Sequence, residues 1–202
     1  MAGPPGLAGR DRRTCGPMSE GRRQVNTPFD RSYWVENNRL LAGFYPGGTS
    51  AAETKAKLGQ LLDAGMRSFI NLTEEREMGT DGGPLRSYQA KLHTLAEEEN
   101  IEVAYTRIPI RDLDVPTYKT MDLILGVIDF SLLNGQPVYV HCLGGIGRTG
   151  TVVGCHLKRK HGLSGEEVLR RIEELRAKDG HAYKASPERP CQVEMLMNYD
   201  RR

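Results

Sequence analysis

Residues 138 to 150 read VYVHCLGGIGRTG, and no other stretch restricts the fold so tightly. An apolar run leads into His141 and Cys142. Glycines at 144, 145, 147 and 150 then surround Arg148. The run over 136–141 reads as a strand, the glycines require a tight turn, and TVVGCHLKRKHG reads as a helix. This strand–turn–helix unit predicts a buried strand whose far end opens onto a loop of backbone N–H groups.

The rest of the chain repeats the alternation. Strands are expected over 33–36, 40–45, 67–73 and 101–110, with a turn at Asn37-Asn38. Helices are expected over 49–65, 84–100 and 117–133. In the last of these, Met121, Ile124, Leu125, Ile128 and Leu132 share one face. The remainder after the glycine loop reads as helical, with Ser164 and Glu167 in a capping-box pattern. Alternating strands and helices imply an α/β fold: a central, mostly parallel sheet flanked by helices. No internal repeat or second domain is seen.

Composition narrows the class. The 202 residues are 38% hydrophobic and 27% charged, as in ordinary globular proteins. A net charge of +2, with no basic stripe interleaved with aromatics, gives no case for nucleic acid. No apolar run has the length of a membrane span, and the N-terminus lacks the apolar core of a secretory signal. Cys15, Cys142, Cys155 and Cys191 form no disulfide framework, so a reducing, cytoplasmic setting is expected. Residues 1–28, rich in Gly, Pro and Arg, read as a disordered basic tail ahead of one domain over 29–202. The histidines are scattered, so no metal and no cofactor is expected.

Two readings compete for the loop. Gly145, Gly147 and Gly150 spell the G-x-G-x-x-G of dinucleotide sites, with Glu166 or Glu167 as the ribose acid. That reading leaves His141, Cys142 and Arg148 without a role. It also requires a further parallel strand where a capped helix follows. The alternative is a cradle for a dianion. Glycines let successive N–H groups turn inward, the helix N-terminus aims its positive end at the same point, and Arg148 adds a planar fork. Cys142 then lies at the floor of the cup. Lowering a thiol pKa by about three units takes roughly 4 kcal/mol, and a helix terminus supplies about 0.3 to 2 kcal/mol. Loop N–H groups and the arginine are needed for the difference. The groups that would hold phosphate are therefore those that would activate the sulfur.

HCLGGIGRTG resembles the H-C-x5-R-[S/T] signature of cysteine-dependent protein tyrosine phosphatases. Length, alternation and the Gly-Gly pair resemble the compact dual-specificity branch, including cyclin-dependent-kinase-associated phosphatase and bacterial relatives. The similarity runs from about Tyr33 to Tyr199. It implies the phosphatase fold and a cysteinyl-phosphate intermediate on Cys142. Arg148 and the loop of Leu143, Gly144, Gly145, Ile146 and Gly147 would hold phosphate oxygens. Thr149 would hydrogen-bond the sulfur, and His141 would orient the loop from beneath. The general acid is Asp112 or Asp114. Family spacing favours Asp112, and a place before the next helix gives Asp114 a capping role. SPERPCQVEM resembles a bacterial Ser-Pro…Gln stretch. Gln192 there either positions the hydrolytic water or belongs to a surface helix start. Cys155 reads as core. EEREMGTDGG resembles a loop bordering the pocket, with no role assigned to Glu75 or Asp81.

The implied substrate is a protein carrying phosphotyrosine, or phosphoserine or phosphothreonine, acted on by a monomer without nucleic-acid or membrane partners. A small phosphorylated metabolite or a lipid is the alternative. The loop holds no lysine, which argues against a highly charged inositol lipid. A phosphate-binding pseudoenzyme and a sulfur-transfer or arsenate-reducing enzyme are the readings from other classes.

Overall fold

A computed structural model describes residues 26–79 and 81–200. Five strands form one sheet: β1 (Ser32–Glu36), β2 (Leu40–Gly43), β3 (Ser68–Asn71), β4 (Ala104–Arg107) and β5 (Val138–His141), in the order β1-β2-β5-β3-β4. Only β1 and β2 pair antiparallel, and β2, β5, β3 and β4 run parallel. Six helices complete the described chain: α1 (Ala51–Asp63), α2 (Gln89–Glu98), α3 (Tyr118–Leu133), α4 (Gly147–His161), α5 (Gly165–Arg176) and α6 (Pro190–Asn198). The mostly parallel α/β sheet is the expected one. Of the expected basic tail, residues 1–25 lie outside the described residues.

Alternation along each strand divides the core in two. Val138 and Val140 join Leu40, Ala42 and Ile70 beneath α3, α4, α5 and α6. Tyr139 joins Leu41 and Phe69 beneath α1 and α2. Side chains of a strand point alternately to opposite faces, so VYVH serves both layers. A parallel sheet covered on both faces needs such continuously apolar strands.

Register positions the functional edge. Gly43, His141, Asn71 and Arg107 are aligned as neighbours at the carboxyl ends of the parallel strands. The segments that follow them therefore leave from one edge, where ligands of parallel sheets bind.

Several expected boundaries contract. The strand expected over 101–110 contracts to Ala104–Arg107, with Ile108 and Ile110 N–H still donating to Asn71 O and Leu72 O, and the helix expected over 84–100 begins at Gln89. Residues before Gln89 are drawn into the β3–α2 loop, where Leu85 N–H donates to Glu77 O and Tyr45 O–H to Arg86 O. The region after the glycine loop is not continuously helical. Between α5 and α6, buried Arg176 gathers an irregular segment by pairing with Asp179 and donating to the carbonyls of His181 and Lys184. Asp114 does not cap α3: Thr117 does, accepting from Thr120 N–H at 3.1 Å, and Asp114 Oδ1 accepts from Val115 N–H. The capping box at Ser164 and Glu167 is formed.

Candidate active site

The β5–α4 turn carries Cys142 to Ile146, and Gly147 and Arg148 open α4. Cys142 is buried, and its Sγ accepts the Gly145 N–H at 3.3 Å. Gly145 adopts φ +72, and a Cβ there would lie 2.5 Å from the Gly43 carbonyl carbon. Only glycine suits both the left-handed backbone and the close approach to β2. At Gly147 a Cβ would meet Glu188 Oε1 at 2.6 Å and the Gln192 carboxamide at 2.9 Å. By contrast, nothing lies within 4 Å of the Cβ position of Gly144. No side chain caps the first turn of α4 and no acidic residue lies in it, whereas Lys158, Arg159, Lys160 and His161 occupy its last turn. That charge distribution suits the helix dipole at the C-terminus and leaves the N-terminus open to an anion.

Arg148 is buried among acceptors. Its Nη1 donates to Glu77 Oε2 at 2.6 Å and to Ile110 O at 3.0 Å, and its Nη2 donates to Glu77 Oε1 at 2.6 Å. Asp112 Oδ1 lies 2.8 Å from the same Nη2, on a side chain that is 51% exposed. Burial opposes the arginine charge, but Glu77, Cys142 and Asp112 outweigh it and hold the pKa above its ordinary value. Both Glu77 and Arg148 are fixed by this two-pronged pair, so the fork is held in one plane.

His141 is buried behind the cup. Its Nδ1 lies 3.1 Å from Cys142 O and its Nε2 lies 2.6 Å from the Tyr88 hydroxyl. A carbonyl only accepts, so Nδ1 carries the proton and Nε2 accepts from Tyr88. Burial pushes the imidazole pKa down to about 3, against the opposing bond to Cys142 O. His141 is thus a neutral strut. Burial also pushes the Cys155 thiol up to about 12, consistent with its place in the core.

Two expectations change. The Thr149 hydroxyl is buried without a hydrogen-bond partner among the described residues, so the expected bond to sulfur is not made here, and the Gly145 N–H donates to the sulfur instead. Gln192 starts a helix, but not at the surface. It is fully buried, accepts from Arg189 N–H through Oε1, donates to Asp114 O through Nε2 and packs on Gly147. Ser186 in the same segment donates to Ile146 O at 2.8 Å. The sequence reading missed Glu77, Tyr88, Ser186 and Arg31. Glu77 stood within a recognised loop, yet four acids at 74, 75, 77 and 81 gave no means of choosing. Asn71 bends that loop by accepting from Thr73 N–H and Oγ1–H, and Glu77 Oε2 accepts from Glu74 N–H. No group of His, Cys, Asp or Glu among the described residues has the arrangement of a metal site.

Together these groups define a cup for a tetrahedral oxyanion, with a sulfur at its floor and a carboxylate at its rim. Comparison with known proteins identifies its class. Residues 43–162 match the family described as a polymorphic toxin system, DSP-PTPase phosphatase. The bovine protein tyrosine phosphatase domain-containing protein 1 is 31% identical over 128 residues, covering 62% of this chain and 16% of that one. The rat phosphatidylglycerophosphatase and protein-tyrosine phosphatase 1 is 28% identical over 141 residues, covering 69% and 64%. Among the curated relatives matched, the chain thus spans as little as 16% of the partner's length. Tk-PTP in its active form superimposes with a TM-score of 0.61 at 24% identity, covering 84% of this chain and 95% of that one. Kinase-associated phosphatase gives 0.62 at 16%, covering 85% and 93%. The chain belongs to the dual-specificity branch of the cysteine-dependent protein tyrosine phosphatase superfamily.

Proposed function

We propose that the protein hydrolyses phosphotyrosine in proteins, with phosphoserine or phosphothreonine as further substrates, through a cysteinyl-phosphate. The arrangement that supports this best is Cys142 Sγ under the Gly145 amide, beside an Arg148 fork fixed by Glu77 and touched by Asp112. The Cys142 thiolate attacks phosphorus. The S–P bond forms, the P–O bond breaks, and Asp112 gives its proton to the leaving oxygen. Arg148 and the amides of Leu143 to Gly147 take the charge that develops on the equatorial oxygens. Water then attacks phosphorus, Asp112 takes its proton, and the sulfur leaves. Thr149 has an unused buried hydroxyl, and we assign it to the departing thiolate. Gln192 Nε2 keeps one hydrogen beyond that given to Asp114 O, which suits a water-positioning role.

The rat relative's name and a neighbouring structure described as PTPMT1 in complex with PI(5)P make lipid the second reading. The residues between Cys142 and Arg148 carry no charge, which favours a substrate with a single phosphate. The test is hydrolysis of para-nitrophenyl phosphate, a phosphotyrosine peptide and phosphoinositide vesicles, without added metal, by wild type and Cys142→Ser. Vanadate-sensitive turnover lost in the variant and highest on the peptide is expected. Higher turnover on the phosphoinositide would replace the substrate, and activity retained by Cys142→Ser would overturn the mechanism.

A further inference from the structure

Arg31 stands immediately before β1, far from the signature loop in sequence, yet reaches it. Its Nη2 donates to Gly144 O at 3.1 Å, and its guanidinium carbon lies 3.8 Å from the centre of the Phe44 ring. Lys57 Nζ lies 4.9 Å from the same ring. The Arg31 backbone is held at φ +65, uncommon for a residue with a side chain, and its carbonyl accepts Phe44 N–H at 3.1 Å. Asp30 shares this corner, accepting from Arg31 N–H and Gly180 N–H.

Gly144 O and Gly145 N–H are the two ends of one peptide unit. That unit is planar and trans, so its carbonyl and N–H point in opposite directions. Fixing the carbonyl outward on Arg31 fixes the N–H inward, and the N–H is the group that lies on Cys142 Sγ at 3.3 Å. This peptide is flanked by glycine on both sides. Neither flanking residue carries a side chain of its own to restrict the plane, and nothing lies within 4 Å of the Cβ position of Gly144. Turned the other way, it would present a carbonyl dipole to the thiolate and to a bound phosphate. We infer that Arg31 is a positioning residue that pins the Gly144–Gly145 peptide and so holds the cup in its anion-binding form. The inference rests on the proposed reaction for its place in catalysis, but the pinning is measurable without turnover.

The experiment compares wild type, Arg31→Met, Arg31→Asn and Arg31→Lys. Met keeps an apolar stem on Phe44. Asn suits the left-handed backbone better than arginine does, so a folded variant without the guanidinium is secured by one or the other. Two readouts are taken: the vanadate inhibition constant, and the ratio of Cys142 alkylation rates by iodoacetate and iodoacetamide. Both reagents need the same thiolate, so the ratio cancels its population and reports how the cup receives an anion. Loss of a charge-assisted bond to the loop predicts roughly tenfold weaker vanadate inhibition and a several-fold lower ratio in Met and Asn. Lys, which keeps a charged donor, recovers part of both. Melting temperatures that fall while vanadate inhibition and the alkylation ratio stay at wild-type values would overturn the inference. So would Lys behaving like Met. A wild type that is alkylated at Cys142 but hydrolyses no phosphomonoester would instead overturn the proposed function, and the alkylation ratio would still decide the role of Arg31.

Discussion

Asp112 occupies part of the fork that a phosphate requires. Of the five N–H groups of Arg148, Nη1 serves Glu77 and Ile110 O, Nη2 serves Glu77 and lies 2.8 Å from Asp112 Oδ1, and Nε makes no hydrogen bond among the described residues. A phosphate that takes two hydrogens of this fork must share or displace Asp112. Removing the carboxylate is therefore expected to strengthen binding even as it removes the proposed general acid. The magnitude follows from exposure. Arg148 is buried, but Asp112 is half exposed and solvent-screened, so the pair is worth about 0.2 to 1 kcal/mol. In a Cys142→Ser background, Asp112→Ala is expected to bind inorganic phosphate about 1.5- to 5-fold more tightly by calorimetry. Relief of repulsion between carboxylate and dianion acts in the same direction, and the difference shrinks as salt rises. In the Cys142 enzyme, Asp112→Asn loses about 10²- to 10⁴-fold in turnover, the usual contribution of a general acid. Asp114→Asn stays near wild type, because the Asp114 carboxylate serves only Val115 N–H among the described contacts. Unchanged or weaker phosphate binding by Asp112→Ala would refute the competition. Equal losses of turnover in the two Asn variants would refute the assignment of the acid.

The two central glycines should respond in opposite ways. Gly144→Ala is expected to retain turnover within about threefold, because its Cβ enters open space, whereas Gly145→Ala meets the β2 backbone at φ +72 and should lose most activity and about 1 to 3 kcal/mol of stability. Steady-state kinetics and urea unfolding on the pair read both. Tyr88→Phe leaves His141 Nε2 buried without its donor, at about 1 to 3 kcal/mol, so the melting temperature should fall by several degrees with the chemistry left in place. Glu36 pairs with His156 and Lys160, and the His156 hydrogen bond above all holds its carboxyl near 2, from an ordinary 4.5. A depressed folded-state pKa stabilises above the unfolded value and is lost as pH falls through the folded one. Glu36→Gln should thus cost up to about 2 kcal/mol at pH 6, after allowance for solvent screening, and less than half of that at pH 3 in urea titrations.

What the sequence determined by itself was local. A strand of β-branched and aromatic residues, a glycine turn and a helix are adjacent in the chain, so 138–161 could be read as one unit with its cysteine and arginine. The parallel α/β sheet followed from alternation, because parallel strands need crossovers. The capping box at Ser164 was legible because its two halves stand three residues apart. Tertiary structure alone decided which residues support the site. Glu77 meets Arg148 across 71 positions, Arg31 meets Gly144 across 113, and Tyr88 meets His141 across 53. Such pairings depend on which strand lies beside which and in what register, and no local pattern carries that. The Asp114 cap failed for a related reason. A carboxylate that precedes a helix can close its own turn on Val115 instead, and Thr117 then supplies the cap. The chemistry of the cup is written along a few consecutive residues, while the partners that keep it rigid are chosen by the alignment of strand ends at one edge of the sheet.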